Sequence, residues 1–413
     1  MLTKPTYRTA AAEAARSNAD ASKHGMRIVH VLRAPLGGLF RHVVDLAEMQ
    51  IARGHQVGLI TDELTGGEGA TARLAAMQDR MALGILRVPM HRLPHPSDLM
   101  ILWRINRYLR GLRPDVVHGH GAKGGLFARA PGVLRASSVA RAYTPHGGSF
   151  NYKPGTNSHR LYMAVEALLA RGTDLLLFES DYIASRYNKF VGGQRPLRRT
   201  IVNGLSQAEF QPVAADVNAA DFLYVGELRS AKGIDTLIDA LAIAGSTLGV
   251  APSLVLVGSG PDRAQLQQQA ERRGIADRIR FAGPMPARAA FQLGRMLVVP
   301  SRAESLPYVV LEAAAARMPM IATRGGGIPE IFGPYADRLI SCDDPTLLSQ
   351  AIAIAQQTSP ARRAHDADAL ADYVVSRFTL GAMVDGVLAG YADARRRKNA
   401  PLERAANIVA LTN

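Results

Sequence analysis

Cysteine is almost absent from this chain of 413 residues. Cys342 stands alone, so no intrachain disulfide can form and a reducing compartment fits best. Long apolar runs are missing as well. Leu175–Phe178 and Met296–Val299 are strand-sized and fall far short of the roughly 18 residues a spanning helix needs. Disulfide scaffolds and helical membrane proteins are excluded. Acidic residues are scarce in one half only. Residues 26–205 hold 12 Asp and Glu against 24 Lys and Arg, whereas residues 206–375 hold 18 against 15. A uniformly basic nucleic-acid binder would not divide its charge this way, so no nucleic-acid partner is expected. Residues 1–25 lack the apolar stretch of a secretory signal, and Glu13 and Asp20 argue against a transit peptide; they are expected to be a disordered leader.

What remains is a globular composition, 47% hydrophobic and 20% charged, long enough for about two domains. From Met26 the pattern is strand, glycine-containing turn, helix, repeated. Strand-like runs are Ile28–Leu32, Gln56–Ile60, Ile85–Val88, Asp115–His118, Val139–Tyr143, Leu175–Phe178 and Thr200–Val202. A polar stretch, 206–220, reads as a linker. The alternation resumes with Phe222–Val225, Leu254–Val257, Ile279–Phe281, Leu297–Val299, Met320–Ala322 and Leu339–Ile340. Helical sequence follows Leu347, broken near Arg377–Thr379. This predicts an α/β chain of two Rossmann-like, doubly wound domains. The first spans 26–205 and the second 221–376, with a C-terminal helix and basic tail at 377–413. In such folds ligands sit beyond the carboxyl ends of the strands, so the two domains are expected to face each other across a cleft.

Glu304 and Glu312 flank seven residues, E-SLPYVVL-E, with Glu304 in the loop after a strand and Glu312 in the next helix. The loop amides and helix N-terminus, including those of Ser305 and Leu306, suit an anion or sugar hydroxyls. A capping carboxylate plus a surface glutamate explains the pair equally well. Arg229 and Lys232 follow another strand, where two cations can neutralise a diphosphate; a solvated charge pair is the simpler alternative. Gly37-Gly38, Gly258-Ser259-Gly260 and Gly325-Gly326-Gly327 place bare backbone at strand ends, as phosphate cradles or generic turns. His118, His120 and His146 also end strands. An H-x-H pair can ligate zinc, which keeps a metal hydrolase in view, although no Asp, Glu or His at ligand spacing completes a site. His146 reads better as a hydrogen-bond partner of a bound sugar or phosphate.

Over Leu99–Arg113 the apolar Ile101, Leu102, Ile105, Tyr108, Leu109 and Leu112 share one helical arc. Arg104, Arg107, Arg110 and Arg113 cover the other, together with Met100 and Trp103, the only tryptophan. Basic residues interleaved with Trp and Met suit an anionic membrane surface, helped by Arg395–Lys398. Alternatively Trp103 packs on the neighbouring domain or is simply exposed.

Taken in order, GGLFRHVVDLAEMQIARGH (37–55), DVVHGHGAKGG (115–125), TPHGGSF (144–150), IVNG (201–204), VGELRSAKGIDTLIDAL (225–241), LVGSGPDRAQL (256–266) and PSRAESLPYVVLEAAAARMPMIATRGGGIPE (300–330) resemble the blocks of the retaining GT-B glycosyltransferases of family 4. The resemblance covers residues 26–395 and implies a GT-B fold whose C-terminal helix returns to the first domain. It implies transfer of a sugar from a nucleotide-sugar, without cofactor or metal, to a glycan or lipid-linked acceptor in polysaccharide biosynthesis. By this likeness Glu304 positions the donor sugar, Glu312 binds the ribose, and Lys232 holds the diphosphate. Gly38 approaches from the first domain and His146 lies beside the transferred sugar; Arg229, Gly258, Ser305 and Leu306 complete the donor site. Where the family carries an arginine after the strand glycine, this chain has Glu227, and Arg229 is the nearest guanidinium. A cytoplasmic protein, peripheral at the inner membrane face, is expected. A soluble synthase acting on sugars or sugar phosphates, and a nucleotide-sugar binding module without turnover, remain alternatives. Acceptor specificity is assigned to the segments 61–80 and 148–158, which carry no readable motif.

Overall fold

The computed structural model describes residues 25–134 and 137–412; the expected leader lies outside them. Seven strands, β1 (Arg27–Leu32), β2 (Gln56–Asp62), β3 (Ile85–Val88), β4 (Val116–His120), β5 (Ala140–Thr144), β6 (Leu175–Phe178) and β7 (Leu197–Thr200), form one sheet in the order 3-2-1-4-5-6-7. Five more, β8 (Ala220–Val225), β9 (Leu254–Val257), β10 (Ile279–Gly283), β11 (Gly294–Val299) and β12 (Met320–Ala322), form a second sheet in the order 10-9-8-11-12. All pairings within both sheets are parallel. Parallel sheets need both faces covered, and the continuous apolar strands supply that: β4, β5, β6 and β9 are buried along their whole length.

Chain order reverses between β1 and β4 in the first sheet and between β8 and β11 in the second. These are the switch points where crossover helices leave to opposite faces and a crevice opens at the strand ends. Register places Leu32 opposite His120 at the first and Leu297 opposite Leu223 at the second.

Two strand expectations need correction. Residues 200–202 were expected in a strand, but β7 ends at Thr200, and Ile201–Gly204 run irregularly toward the second domain. Leu339–Ile340 makes only an isolated bridge, Thr323 with Ile340, because one pair of residues cannot sustain a ladder. The basic tail also differs from its expectation. Leu380–Thr412 is one continuous helix. Its Met383, Val384, Val387, Tyr391 and Ala394 pack against Ile28, Val116, Ala142 and Leu175 of the first sheet. Burying each large apolar side chain there is worth about 1.5–3 kcal/mol, which holds the helix on the first domain. Arg395 and Lys398 are tied to Asp115 at 2.7 Å and Asp174 at 2.6 Å, whereas Arg396 and Arg397 of the same cluster are exposed.

Candidate functional site

Because β8 and β11 are neighbours, the loops that follow them touch. Gly233 sits at φ +67°, and a Cβ there would lie 2.1 Å from the Pro300 carbonyl oxygen, so only glycine permits this approach. The closeness brings Lys232 Nζ to 2.5 Å from Glu304 Oε1. The Ser301 hydroxyl donates to the same oxygen at 2.8 Å. The 325–327 turn seats against this loop: a Cβ on Gly327 would meet the Ser305 carbonyl at 1.9 Å, and its amide donates to the Glu304 carbonyl at 3.1 Å. Gly258 lies against Gly226 at the base of the Arg229 loop. Arg229 pairs with Glu227 at 3.0 Å and lines the cleft. Lys232, Glu304, Ser305, Gly258 and Arg229 are thus brought to one edge of the second sheet.

Opposite this edge lies the first domain, and a polar seam joins the two. Gly38 faces the Tyr308 ring, 3.3 Å from where its Cβ would be. Leu306 is buried, and its carbonyl accepts from Asn203 Nδ2 at 2.8 Å. Arg41 forms ion pairs with both Glu312 and Glu209. Burial pushes the Glu312 carboxyl up, against the opposing pull of Arg41. The Glu312 carboxylate is therefore occupied by Arg41, a partner that the E-x7-E spacing does not reveal. His42 Nδ1 lies 3.1 Å from Asn203 Oδ1 and 3.2 Å from the Tyr308 hydroxyl. Glu330 accepts from the backbone amides of Asp181 and Tyr182, both at 2.8 Å. Those amides open the helix Asp181–Phe190, so the carboxylate also meets its positive end.

Glu179, at the end of β6, is 1% exposed, and neither carboxylate oxygen makes a well-formed hydrogen bond. Burial pushes its carboxyl up to about 7, offset in part by the Ser305 hydroxyl and the amides of His146 and Gly147. Glu179 thus stands between the His146 turn of one domain and the Glu304 loop of the other.

Beside it lies a buried histidine cluster. Gln50 Oε1 is 2.9 Å from His30 Nε2, His30 Nδ1 is 3.0 Å from His120 Nε2, and His120 Nδ1 is 3.1 Å from His146 Nε2. His118 turns away, to the Tyr391 hydroxyl at 2.6 Å and Thr144 Oγ1 at 2.9 Å. Burial lowers His30 and His42 to about 4 and carries His118, His120 and His146 well below the ordinary imidazole value, so the cluster is neutral. His146 adopts φ +50°, followed by Gly147 at +76° and Gly148 at +36°, a turn that projects the ring at the cleft. Two triads, His30–His118–His120 and His42–His120–His146, have nitrogens close enough to hold a metal ion. Sequence spacing misses them because His30 and His42 are 78 or more residues from their partners. The His30, His120 and His146 nitrogens that face one another are already joined in ring-to-ring hydrogen bonds, so an ion bound there would have to displace those contacts.

Sequence reading also missed Arg41, His42, Glu179 and Glu330. His30 and Glu179 carry a signal in hindsight: each interrupts or ends an apolar strand run.

Comparison with known proteins follows the same division. Residues 37–204 match the glycosyl transferase 4-like domain, and residues 206–369 match the glycosyl transferases group 1. The putative glycosyltransferase EpsD of Bacillus subtilis is 30% identical over 264 residues, 59% of this chain and 68% of that one. The lipopolysaccharide core biosynthesis glycosyltransferase LpsD of Rhizobium meliloti is 29% identical over 301 residues, 71% of this chain and 79% of that one. The crystal structure of Anabaena HepE in complex with UDP-glucose superposes with a TM-score of 0.71 at 17% identity, covering 89% of this chain and 100% of that one. The two facing Rossmann-like domains are those of the GT-B architecture, and the chain belongs to the family 4-type glycosyltransferases.

Proposed function

We propose that the protein moves a sugar from a nucleoside-diphosphate sugar to a glycan acceptor, with retention of configuration and without a metal. The single observation that carries this reading is the meeting of Lys232 and Glu304 at the second switch point, facing His146 and Gly38 of the first domain. A carboxylate beside an ammonium at a strand end can bind sugar hydroxyls and a phosphate side by side. UDP-glucose bound to HepE supports a donor of this class.

Transfer forms a bond from the acceptor oxygen to the anomeric carbon as the bond to the terminal phosphate oxygen breaks. Positive charge grows on the ring and negative charge on the leaving diphosphate. Lys232, Arg229 and the helix N-terminus after Pro307 stabilise that negative charge electrostatically, the task a metal performs elsewhere. The acceptor hydroxyl proton passes to the departing phosphate oxygen, so no protein base is required. Glu304 orients the sugar; neutral His146 hydrogen-bonds it. Glu312, Ser305, Leu306, Gly258 and Gly38 shape the donor pocket, with Glu312 acting through Arg41 unless closure releases it to the ribose.

We read the enzyme as peripheral at an anionic inner membrane face, a location that suits a lipid-linked acceptor. Leu99, Met100 and Trp103 are 78%, 62% and 59% exposed on the helix Asp98–Leu112, with Arg104, Arg107 and Arg110 exposed among them. No helix among the described residues is long and apolar enough to cross a membrane.

A thermal-shift panel of nucleotide-sugars identifies the donor, since binding raises the melting temperature according to affinity. With that donor, in buffer containing a chelator, Lys232→Ala and Glu304→Ala should each lower turnover by about 10²-fold or more. Full activity in both variants, or loss of wild-type activity on chelation alone, refutes the reading.

A further inference from the structure

On the first-domain side of the Lys232–Glu304 pair the cleft widens into a cavity of about 470 Å³. Its walls carry four cations, Arg33, Arg92, Lys123 and Arg229, and no aspartate or glutamate among the described residues. Two of the four are matched. Lys123 pairs with Asp98 at 2.5 Å and Arg229 with Glu227 at 3.0 Å. Arg33 and Arg92 have no such partner: among the described residues, neither guanidinium comes within ion-pair distance of a carboxylate. Burial lowers the Arg33 pKa; Asp62 opposes this from a distance, and Arg92 adds to it by like-charge repulsion. Arg33 is half-buried and Arg92 exposed at the rim beside it; a half-buried guanidinium next to a second cation is unfavourable until an anion joins them.

The surroundings point to a sugar next to that anion. Tyr152 and Tyr162 stack with ring centroids 4.7 Å apart and planes 16° from parallel, and both line the cavity. Tyr152 is 39% exposed, and Arg92 lies near enough to Tyr162 to act on its hydroxyl. Tyr152 belongs to the 148–158 segment, whose sequence carries no motif. Exposed aromatic faces in a polar cleft suit the C–H face of a pyranose.

We propose that this cavity is the acceptor site and that the acceptor carries a phosphate group next to the sugar that receives transfer. Arg33 and Arg92 grip the phosphate, and the Tyr152–Tyr162 pair seats the sugar. Charge decides between anions. The two unmatched guanidiniums call for about two negative charges, which a phosphomonoester or a diphosphate diester supplies and a single uronate carboxylate does not. Planar guanidinium forks also match phosphate oxygens two at a time. The phosphate can belong to a carrier lipid or to a free sugar phosphate. The proposal rests on the donor reading above, because the cavity opens onto the Lys232–Glu304 edge.

Two measurements separate it from that reading. The first is the ratio of kcat/KM for four acceptors of one sugar: a short-chain isoprenyl diphosphate glycoside, the sugar 1-phosphate, the methyl uronide and the neutral methyl glycoside. One or both phosphorylated acceptors should exceed the neutral one by about 100-fold, about tenfold for each guanidinium contact. Which of the two is used distinguishes lipid carrier from free sugar phosphate. Arg33→Gln combined with Arg92→Gln should bring the ratio to within a few-fold of one, a readout that lowered folding yield does not move. A wild-type ratio near one, a uronide used as well as the phosphates, or an unchanged ratio in the double variant overturns the proposal. The second measurement needs no turnover. Saturation-transfer NMR of glucose 1-phosphate against methyl glucoside, on the full chain carrying Lys232→Ala to weaken the donor phosphate site, should show phosphate-selective binding. Adding Arg33→Gln and Arg92→Gln should abolish it; selectivity that survives both substitutions defeats the assignment even if transfer is never observed.

Discussion

Replacing Glu179 by glutamine isolates a buried carboxyl at the meeting of the two domains. With its carboxyl pushed up to about 7 from an ordinary 4.5, the native state holds a proton that the unfolded chain releases. Stability from this proton is complete below about pH 4.5. It is lost as pH rises from there through about 7, and beyond that the loss is constant. A displacement of about 2.5 units corresponds to about 3 kcal/mol. Glutamine mimics the protonated form in size and hydrogen bonding and never ionises. Glu179→Gln and wild type should therefore melt within about 1 °C of each other at pH 4. At pH 8 the variant should melt higher by roughly 6–12 °C, at about 2–4 °C per kcal/mol for domains of this size. Differential scanning calorimetry at the two values tests this. The difference between proteins matters rather than either curve, because the buried histidines act in the opposite direction: their neutral forms stabilise the fold above about 6.5, and that contribution is lost as pH falls through about 4. A Glu179→Gln difference of equal size at both pH values would show that the carboxyl is not protonated in the fold.

Other outcomes follow from the cleft and the surface. Because His30 Nε2 faces the Gln50 carbonyl oxygen, each neutral histidine of the chain donates through Nε2 and leaves the His146 Nδ1 lone pair free. Nitrogen-15 spectra should report the Nε2–H form at His30, His120 and His146, and Gln50→Leu should leave His146 a mixture; an Nδ1–H form in wild type rules out this relay. Wild type should float with anionic liposomes at low salt and sediment at 0.5 M salt, whereas Trp103→Ala with Arg107→Ala should stay behind at both. Equal flotation of the two proteins removes the helix Asp98–Leu112 from the membrane reading.

Much of the architecture was legible because its signals are local. A continuous apolar run of four to six residues followed by a glycine turn and a helix repeats along the chain, and nearly all the expected strands lie within two residues of their observed positions. The exceptions have local causes: a two-residue run cannot pair stably, and in Thr200–Val202 the apolar Ile201 packs under the C-terminal helix and Val202 against the second-domain core instead of extending the ladder. The Lys232–Glu304 edge was legible for a further reason. Parallel order makes the ends of adjacent strands coincide, so two loops 72 residues apart meet without any motif linking them.

Partners across the seam follow no such rule. Glu312 lies where the spacing puts it, in the helix after the Glu304 loop, but its partner Arg41 is 271 residues away on the other domain. No periodicity relates two faces of separate sheets. The histidines show the same limit within one domain. His118 and His120 advertise themselves by their spacing, whereas His30 is a single polar residue in an apolar strand. It becomes part of the cluster because parallel pairing of β1 with β4 sets it opposite His118, and because Gln50 on the returning helix reaches its far nitrogen. A buried polar residue in a strand core is costly unless it is hydrogen-bonded. His30 therefore signals from sequence alone that a partner exists, and only the strand order says which one.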